Sequence, residues 1–114
     1  LDNKFGGTPS YVAPEQAQGL SINAAADQFS LAVTVYEMLT GRLPFAGGRP
    51  TEVLYRVVHE APAPLDPTRF PIPAPTAAAL TRALSKAPSD RFASVLDFAR
   101  ALEGVTLSDQ TLPT

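Results

Sequence analysis

The sequence predicts a mainly α protein built as one domain. Apolar residues recur at helical spacing in four segments, proline-rich stretches separate these segments, and no segment shows the alternation typical of a strand. With 114 residues, of which 45% are hydrophobic, the chain is long enough to bury one modest core. We expect residues 1–104 to form the domain and residues 105–114 to form a flexible tail.

The longest predicted helix covers residues 27–40 and is expected to lie at the centre of the fold. Asp27 is suited to cap its start, and Gly41, with Pro44 just beyond, is suited to end it. Its apolar side chains point in nearly every direction around the helix axis, which predicts a helix packed on all sides. These residues are Phe29, Leu31, Ala32, Val33, Val35, Tyr36, Met38 and Leu39.

Three shorter helices are predicted after this one. Residues 51–60 carry a single apolar stripe, which is typical of a surface helix. The stripe consists of Val53, Leu54, Val57 and Val58. Residues 76–86 repeat apolar side chains at helical spacing and end where Pro88 restricts the preceding residue. The last helix is expected to begin at Ser94, which together with Asp97 resembles a capping box.

The segment between the second and third of these helices is rich in proline. Six prolines fall between residues 62 and 75, and they exclude a regular helix or strand ladder there. The segment is therefore either an extended, ordered loop or a flexible one, and hydrophobic periodicity does not decide between the two.

Composition excludes several classes of function. The nine Lys and Arg residues are scattered and the net charge is -2, so no nucleic-acid partner is expected. The most apolar segment, residues 29–39, is interrupted by polar residues and is shorter than the ~20 residues of a bilayer span, so no membrane contact is expected. Because the chain has no cysteine and one histidine, disulfides and a zinc site are excluded, and we expect a reducing, cytoplasmic location.

Two weaker patterns favour ordinary structural roles. The glycine-containing loop AGGRP, residues 46–50, lacks the Lys-Ser or Lys-Thr ending and the preceding strand of a phosphate-binding loop, so a linking turn is favoured. His59 has no Ser, Cys or Asp motif beside it, which argues against general-base chemistry. No combination of nucleophile, base and acid supports an independent hydrolase.

Three motifs in a fixed order carry a family resemblance. They are GTPSYVAPEQ at residues 7–16, DQFSLAVTVYEMLTGRLPF at residues 27–45 and PSDRF at residues 88–92. In this order they resemble the protein kinase family, and in detail the bacterial kinases of eukaryotic Ser/Thr type; the first motif contains the Ala-Pro-Glu signature. The resemblance implies an incomplete, kinase-like C-terminal helical lobe over residues 1–104, from the end of the activation segment onward.

Other kinase motifs do not occur in these 114 residues. There is no Gly-rich loop, no Val-Ala-Ile-Lys strand, no His-Arg-Asp loop and no Asp-Phe-Gly. The resemblance therefore implies that ATP and Mg²⁺ belong to an intact parent kinase, and that this chain carries no catalytic, cofactor-binding or metal-binding residue. The implied partners are the missing N-terminal part of the kinase domain and a protein substrate or partner kinase.

By resemblance, residues 6–16 end the activation segment and receive the substrate peptide. Gly7, Thr8, Pro9, Ser10 and Tyr11 are the implied substrate-binding residues. The Thr8 hydroxyl is implied to bond the catalytic aspartate and a neighbouring lysine, both outside this chain. Considered alone, Thr8 is an extended loop residue before proline with a solvated hydroxyl.

The resemblance also implies structural roles for three charged residues. Glu15 is implied to form a salt bridge with Arg91; otherwise it is a surface glutamate at the start of a short helix. Asp27 is implied to accept hydrogen bonds from the backbone of the catalytic loop. Because that loop is absent from this chain, we favour a plain N-cap role for Asp27.

Two hypotheses of different classes follow. The chain is either the substrate-side segment of a Ser/Thr kinase, inactive alone, or a non-catalytic interaction module that binds a kinase or its substrates through the loop and the second helix. In the family, a preceding helix and the catalytic loop cover one side of the central helix. Only three further helices are predicted here, so we expect part of residues 27–39 to stay exposed.

Overall fold

The computed structural model describes residues 9–20, 23–66 and 68–103. Within these ranges all regular secondary structure is helical, which confirms the mainly α class. The five α-helices are α1 (Pro14–Ala17), α2 (Ala24–Thr40), α3 (Pro50–His59), α4 (Ala74–Ala83) and α5 (Val95–Leu102), and two 3₁₀ turns cover Pro9–Tyr11 and Pro88–Asp90. The tail predicted at residues 105–114 lies outside the described residues. No helix in the described part is long and apolar enough to cross a bilayer.

Helix α2 begins three residues earlier than predicted. Its N-cap is Asn23, whose side-chain oxygen accepts a hydrogen bond of 2.9 Å from the amide of Ala25. The prediction that Asp27 caps the helix is therefore wrong. Asp27 is an exposed residue of the first turn, where the positive end of the helix dipole stabilises its negative charge. Gly41 ends the helix as predicted, with a left-handed φ of 75° that glycine adopts without strain.

One face of α2 forms the centre of the core. Its buried residues are Ala26, Gln28, Phe29, Ala32, Val33 and Tyr36. Helices α4 and α5 and the turn at Pro9–Tyr11 contact this helix. The opposite face stays open: Leu31, Met38 and Leu39 are exposed, and Met38 retains 76% of its surface. The prediction of packing on all sides is therefore wrong, whereas the expected exposed part of the helix is present.

The core joins all of the longer helices. The rings of Phe29 and Phe45 stack with their centroids 6.0 Å apart, and Leu80 and Phe98 are fully buried beside them. Burying each of these side chains stabilises the fold by roughly 1.5–3 kcal/mol.

Helix α3 has the predicted amphipathic character. Pro50 occupies its first turn, and the Glu52 carboxylate accepts hydrogen bonds of 3.0 Å from the amides of Gly48 and Arg49. Of the predicted stripe, Val53 and Val57 are buried, and Leu54 and Val58 are half-buried. The loop at residues 46–50 thus forms the linking turn that leads into the helix.

Helices α4 and α5 pack against each other, and both contact α2. α4 begins two residues before its predicted start, at Ala74. The Ser94 hydroxyl accepts a hydrogen bond of 3.0 Å from the amide of Asp97, so the predicted start of α5 is confirmed. The proline after α4 begins the 3₁₀ turn that connects it to α5.

The proline-rich segment adopts the ordered alternative in its described part. The amide of Ala63 donates to the carbonyl of Pro44 at 3.0 Å, and the Tyr36 hydroxyl donates to the carbonyl of Ala63 at 2.7 Å. The amide of Phe70 donates to the carbonyl of Asp66 at 2.8 Å. These bonds fix the segment against α2 and the turn that follows it.

Candidate functional site

Glu15 and Arg91 form a buried, two-pronged ion pair. Nη1 and Nη2 of Arg91 each donate a hydrogen bond of 2.8 Å to one carboxylate oxygen of Glu15. Glu15 retains 4% of its surface and Arg91 2%. The predicted pair is thereby confirmed, and the alternative of a surface glutamate is wrong. A planar guanidinium matches a carboxylate in this geometry, which a lysine cannot reproduce.

The Arg91 guanidinium uses all five of its N–H donors. Besides the two bonds to Glu15, it makes three bonds to backbone carbonyls. These acceptors are Ser85 at 2.9 Å, Ala25 at 2.9 Å and Lys86 at 3.2 Å. Since no N–H is left unsatisfied in the interior, the cation joins α1, the start of α2 and the link between α4 and α5.

The charge state of Glu15 follows from its surroundings. Burial alone raises the pKa of the Glu15 carboxyl, but the hydrogen bonds and the positive charge of Arg91, together with a backbone hydrogen bond, outweigh burial and hold the pKa below its ordinary value. The carboxylate is therefore ionised at neutral pH, as the ion pair requires.

Local hydrogen bonds and a glycine turn define the two ends of α1, the helix that carries Glu15. Pro14 occupies the first turn of α1, and the side chain of Gln16 accepts a hydrogen bond of 2.8 Å from the amide of Ala13. After the helix, Gly19 takes a left-handed φ of 73°. This turn returns the amide of Leu20 to the carbonyl of Glu15 at 2.8 Å. Residues close in sequence therefore cap both ends of this four-residue helix.

The segment that precedes α1 is attached to α2. The Tyr11 hydroxyl donates a hydrogen bond to the carboxylate of Glu37, and the Ser30 hydroxyl donates one of 2.5 Å to the carbonyl of Tyr11. The hydrogen bond to Glu37 also raises the pKa of the Tyr11 phenol. Tyr11 is thus held at both its side chain and its backbone by two polar residues of the otherwise apolar central helix.

The predicted substrate-binding residues lie partly in this segment. Pro9, Ser10 and Tyr11 form the 3₁₀ turn, whereas Gly7 and Thr8 lie outside the described residues. Their binding of a substrate stays a prediction, as does the family role of Asp27.

A second polar connection inside the fold was not predicted. The Gln28 amide donates to the carbonyl of Phe92 and accepts from its amide, both at 3.0 Å, and Gln28 is fully buried. Because a polar residue in an apolar helix needs a partner, Gln28 itself was the signal that could have revealed this contact.

Lys86, in the link between α4 and α5, connects that link to α3. Its Nζ donates hydrogen bonds to the carbonyls of Val57 at 2.6 Å and Arg56 at 3.2 Å, and lies 4.1 Å from the centre of the Phe45 ring. Burial lowers the pKa of Lys86 to about 8, with the charge of Glu60 acting in the opposite direction. The cation thus completes the carbonyl end of α3, where positive charge is favourable.

His59 and the acidic residues form no metal-binding cluster in the described part of the chain. The His59 ring lies 4.6 Å from that of Tyr55, at the end of α3. Across residues 9–20, 23–66 and 68–103, no three His, Asp or Glu side chains are close enough to hold a metal ion.

Comparison with known families places these features in context. The family model described as "Protein kinase domain" matches residues 2–101. The serine/threonine-protein kinase PknF of Mycobacterium tuberculosis is 41% identical over 96 residues, which are 84% of this chain and 20% of that protein. The serine/threonine-protein kinase drp72 of Corynebacterium efficiens is 42% identical over 104 residues, covering 91% of this chain and 19% of that protein.

Solved structures give the same result for the fold. The twitchin kinase region of C. elegans superposes with a TM-score of 0.73 and 25% identity, over 83% of this chain and 17% of that one. The chain thus spans about a fifth of the length of the curated relatives it matches. It belongs to the protein kinase family and corresponds to the helical C-terminal part of the kinase domain of bacterial kinases of the eukaryotic Ser/Thr type.

Proposed function

We propose that this chain is the substrate-side segment of a Ser/Thr protein kinase, which in the intact parent transfers phosphate from ATP to protein Ser or Thr. The observation that carries the proposal is the buried Glu15–Arg91 pair. It fixes the end of the implied activation segment to the helices beneath it. Phosphoryl transfer depends largely on positioning and electrostatics, so a rigid platform for the peptide is a direct contribution to rate.

Two anchors, four residues apart in sequence, hold that platform. Tyr11 is bound to Ser30 and Glu37 of α2, and Glu15 is bound to Arg91. The two buried residues after Tyr11, Val12 and Ala13, pack on the core between these anchors. The segment from Tyr11 to Glu15 therefore has its position set from both ends.

The residues described here do not fit a nucleotide or a magnesium site. Mg²⁺ in kinases is held by an Asp-Phe-Gly aspartate and a catalytic-loop asparagine, and neither motif occurs in the sequence. We therefore assign ATP and Mg²⁺ binding to other parts of the parent, and expect the isolated chain to be inactive.

The exposed face of α2 suits the rest of the kinase domain. Leu31, Met38 and Leu39 are exposed on this helix, whereas Val35 is half-buried and packs against the core. Contiguous apolar surface of this kind marks an interface in soluble proteins. The proposal is that the upstream part of the domain covers it.

A second candidate function rests on α3. Tyr55 retains 58% of its surface on this helix and packs beside His59, and exposed tyrosines are enriched in protein interfaces. In that case the chain is a non-catalytic module that binds a kinase or its substrates through α3 and the segment at Tyr11.

Labelled ATP with a generic basic protein tests the proposal. The isolated chain is expected to incorporate no phosphate, whereas the chain extended by the coding sequence upstream of Leu1 is expected to incorporate it. Glu15→Gln in the extended protein should reduce incorporation, while Glu103→Gln, an exposed position, should not. Incorporation that survives repurification and scales with the isolated chain would contradict the proposal.

A further inference from the structure

A cavity of about 370 Å³ lies between the turn after α2 and the proline-rich segment. None of the residues discussed for substrate positioning lines it. Its lining residues come from the end of α2, the turn into α3 and two stretches of the proline-rich segment. The residues that determine the charge and the apolar surface of the cavity are Tyr36, Arg42, Leu43, Asp66, Arg69 and Phe70.

Apolar and polar groups both line the cavity, and several of its polar groups are already bonded. The Tyr36 hydroxyl donates to the carbonyl of Ala63 at 2.7 Å. The carbonyl of Ala46, also in the lining, accepts a bond of 2.5 Å from Arg56. Leu43 and Phe70 are half-buried and leave part of their surface facing the cavity. An apolar side chain can therefore enter without leaving a buried polar group unpaired.

The cavity carries more positive than negative charge. Arg42 and Arg69 line it from opposite chain segments and are both exposed. In the described part of the chain, the ion pairs within 4.0 Å are Glu15–Arg91 and Arg56–Glu60, so no described carboxylate pairs with either arginine.

Asp66, the one acid in the lining, is already engaged. Its Oδ1 accepts hydrogen bonds from the amide and the hydroxyl of Thr68 at 2.9 and 2.7 Å. These bonds stabilise the turn that presents Arg69, and they lower the pKa of the Asp66 carboxyl, with the Thr68 hydroxyl as the main cause. Among the described residues, no carboxylate lies within ion-pair distance of the two guanidinium groups, and Oδ1 of Asp66 is occupied by Thr68.

We propose that this cavity binds an acidic peptide segment of a partner protein. One bulky apolar side chain of that segment enters between Leu43 and Phe70, and flanking carboxylates pair with Arg42 and Arg69. The volume lies at the lower end of the roughly 300–1,000 Å³ typical of ligand sites, which suits one inserted side chain. The inference goes beyond the proposed kinase function and does not depend on it.

A labelled peptide with one phenylalanine flanked by glutamates, titrated against the 114-residue chain and followed by fluorescence anisotropy, tests the site. Arg42→Gln and Arg69→Gln should each weaken binding roughly tenfold or more, because each removes a charged hydrogen bond. Arg100→Gln removes the same charge from an exposed position on α5 outside the cavity and should leave binding unchanged. Both cavity arginines are exposed, so circular dichroism is expected to show intact folding.

Two altered peptides and a salt titration separate this proposal from other sources of binding. Replacing the phenylalanine by alanine, or the glutamates by lysines, should abolish most of the binding, and added salt should weaken it. Failure of the acidic peptide to bind overturns the proposal. Equal weakening by Arg100→Gln, or full competition by inorganic phosphate together with unchanged binding of the alanine peptide, shows unspecific anion binding and overturns it as well.

Discussion

Arg91 binds Glu15, which lies 76 positions earlier in the sequence, through two parallel hydrogen bonds of 2.8 Å. The same guanidinium bonds the carbonyl of Ala25 at 2.9 Å, so a single side chain joins the implied activation segment, the central helix and the link before α5. A buried ion pair adds little net stability compared with apolar packing, but it specifies which surfaces meet. The main role of the pair is therefore to position α1 against the start of α2 and the link before α5.

Breaking the pair from one side should be costly. Glu15→Ala leaves the Arg91 cation buried without its partner, and we expect a loss of about 3–5 kcal/mol in the free energy of unfolding, measured by denaturant titration. Glu103→Ala, at an exposed position, is the matched control and should cost less than about 0.5 kcal/mol. A loss below about 1 kcal/mol for Glu15→Ala would show that water reaches the site and that the pair is not buried in solution.

The Glu15 carboxylate should make stability depend on acid pH. Its pKa is lowered in the folded chain relative to the ordinary value of 4.5, so in this range the unfolded chain binds more protons. The stabilisation is complete above pH 4.5 and is lost as the pH falls through the folded pKa. We expect the difference in unfolding free energy between the wild type and Glu15→Gln to shrink over that acid range; a constant difference would contradict the lowered pKa.

Lys86 should produce a dependence of the same sign at alkaline pH. Its folded pKa of about 8 lies below the ordinary 10.5, so between these values the unfolded chain holds a proton that the folded chain has released. The unfolding free energy of the wild type should therefore rise relative to Lys86→Met from pH 8 to 10.5 and level off above it. Arg82→Met, at an exposed position on α4, should show no such pH-dependent difference. A difference for Lys86→Met that stays constant or falls over this range would show that the two carbonyl bonds keep Lys86 protonated.

The exposed face of α2 should be detectable in solution. Leu31, Met38 and Leu39 lie together on it, so the isolated chain is expected to self-associate in sedimentation and to bind a fluorescent apolar probe. Met38→Lys together with Leu39→Lys should remove most of both effects, while Leu96→Lys, an equally exposed position on α5, should not. A monodisperse monomer that binds no probe and unfolds cooperatively would mean that the chain closes around its core and is complete.

Local periodicity predicted the helices but not how they are covered. It placed α3 and α5 within a residue or two, because their stripes and caps are short-range features. It chose Asp27 as the cap of α2, but Asn23, an equally good capping residue four positions earlier, caps the helix. It also overestimated the burial of α2, whose apolar residues exceed what the described helices can cover.

The long-range contacts have a different origin. The Glu15–Arg91 pair was predicted from the family resemblance; no spacing rule links two residues so far apart. The bonds of Lys86 to the end of α3 and the cavity beside Arg42 depend on the paths of loops, which propensities do not determine. Glu37 and Ser30 had a sequence signal, as polar residues in an apolar helix, but their partner Tyr11 could be identified only in the folded chain.

The most direct test of the substrate-positioning account is a steady-state comparison in the active parent kinase. Tyr11→Phe removes the hydrogen bond to Glu37 and should raise the KM for the protein substrate while leaving the KM for ATP unchanged. Because this hydrogen bond lies within the kinase and is not made to the substrate, its loss should lower kcat/KM for that substrate by displacing the segment that positions it. Arg100→Gln, at an exposed position on α5, is the control and should change neither KM value. An equal rise in both KM values, or no change in either, would contradict the assignment of this segment to substrate positioning.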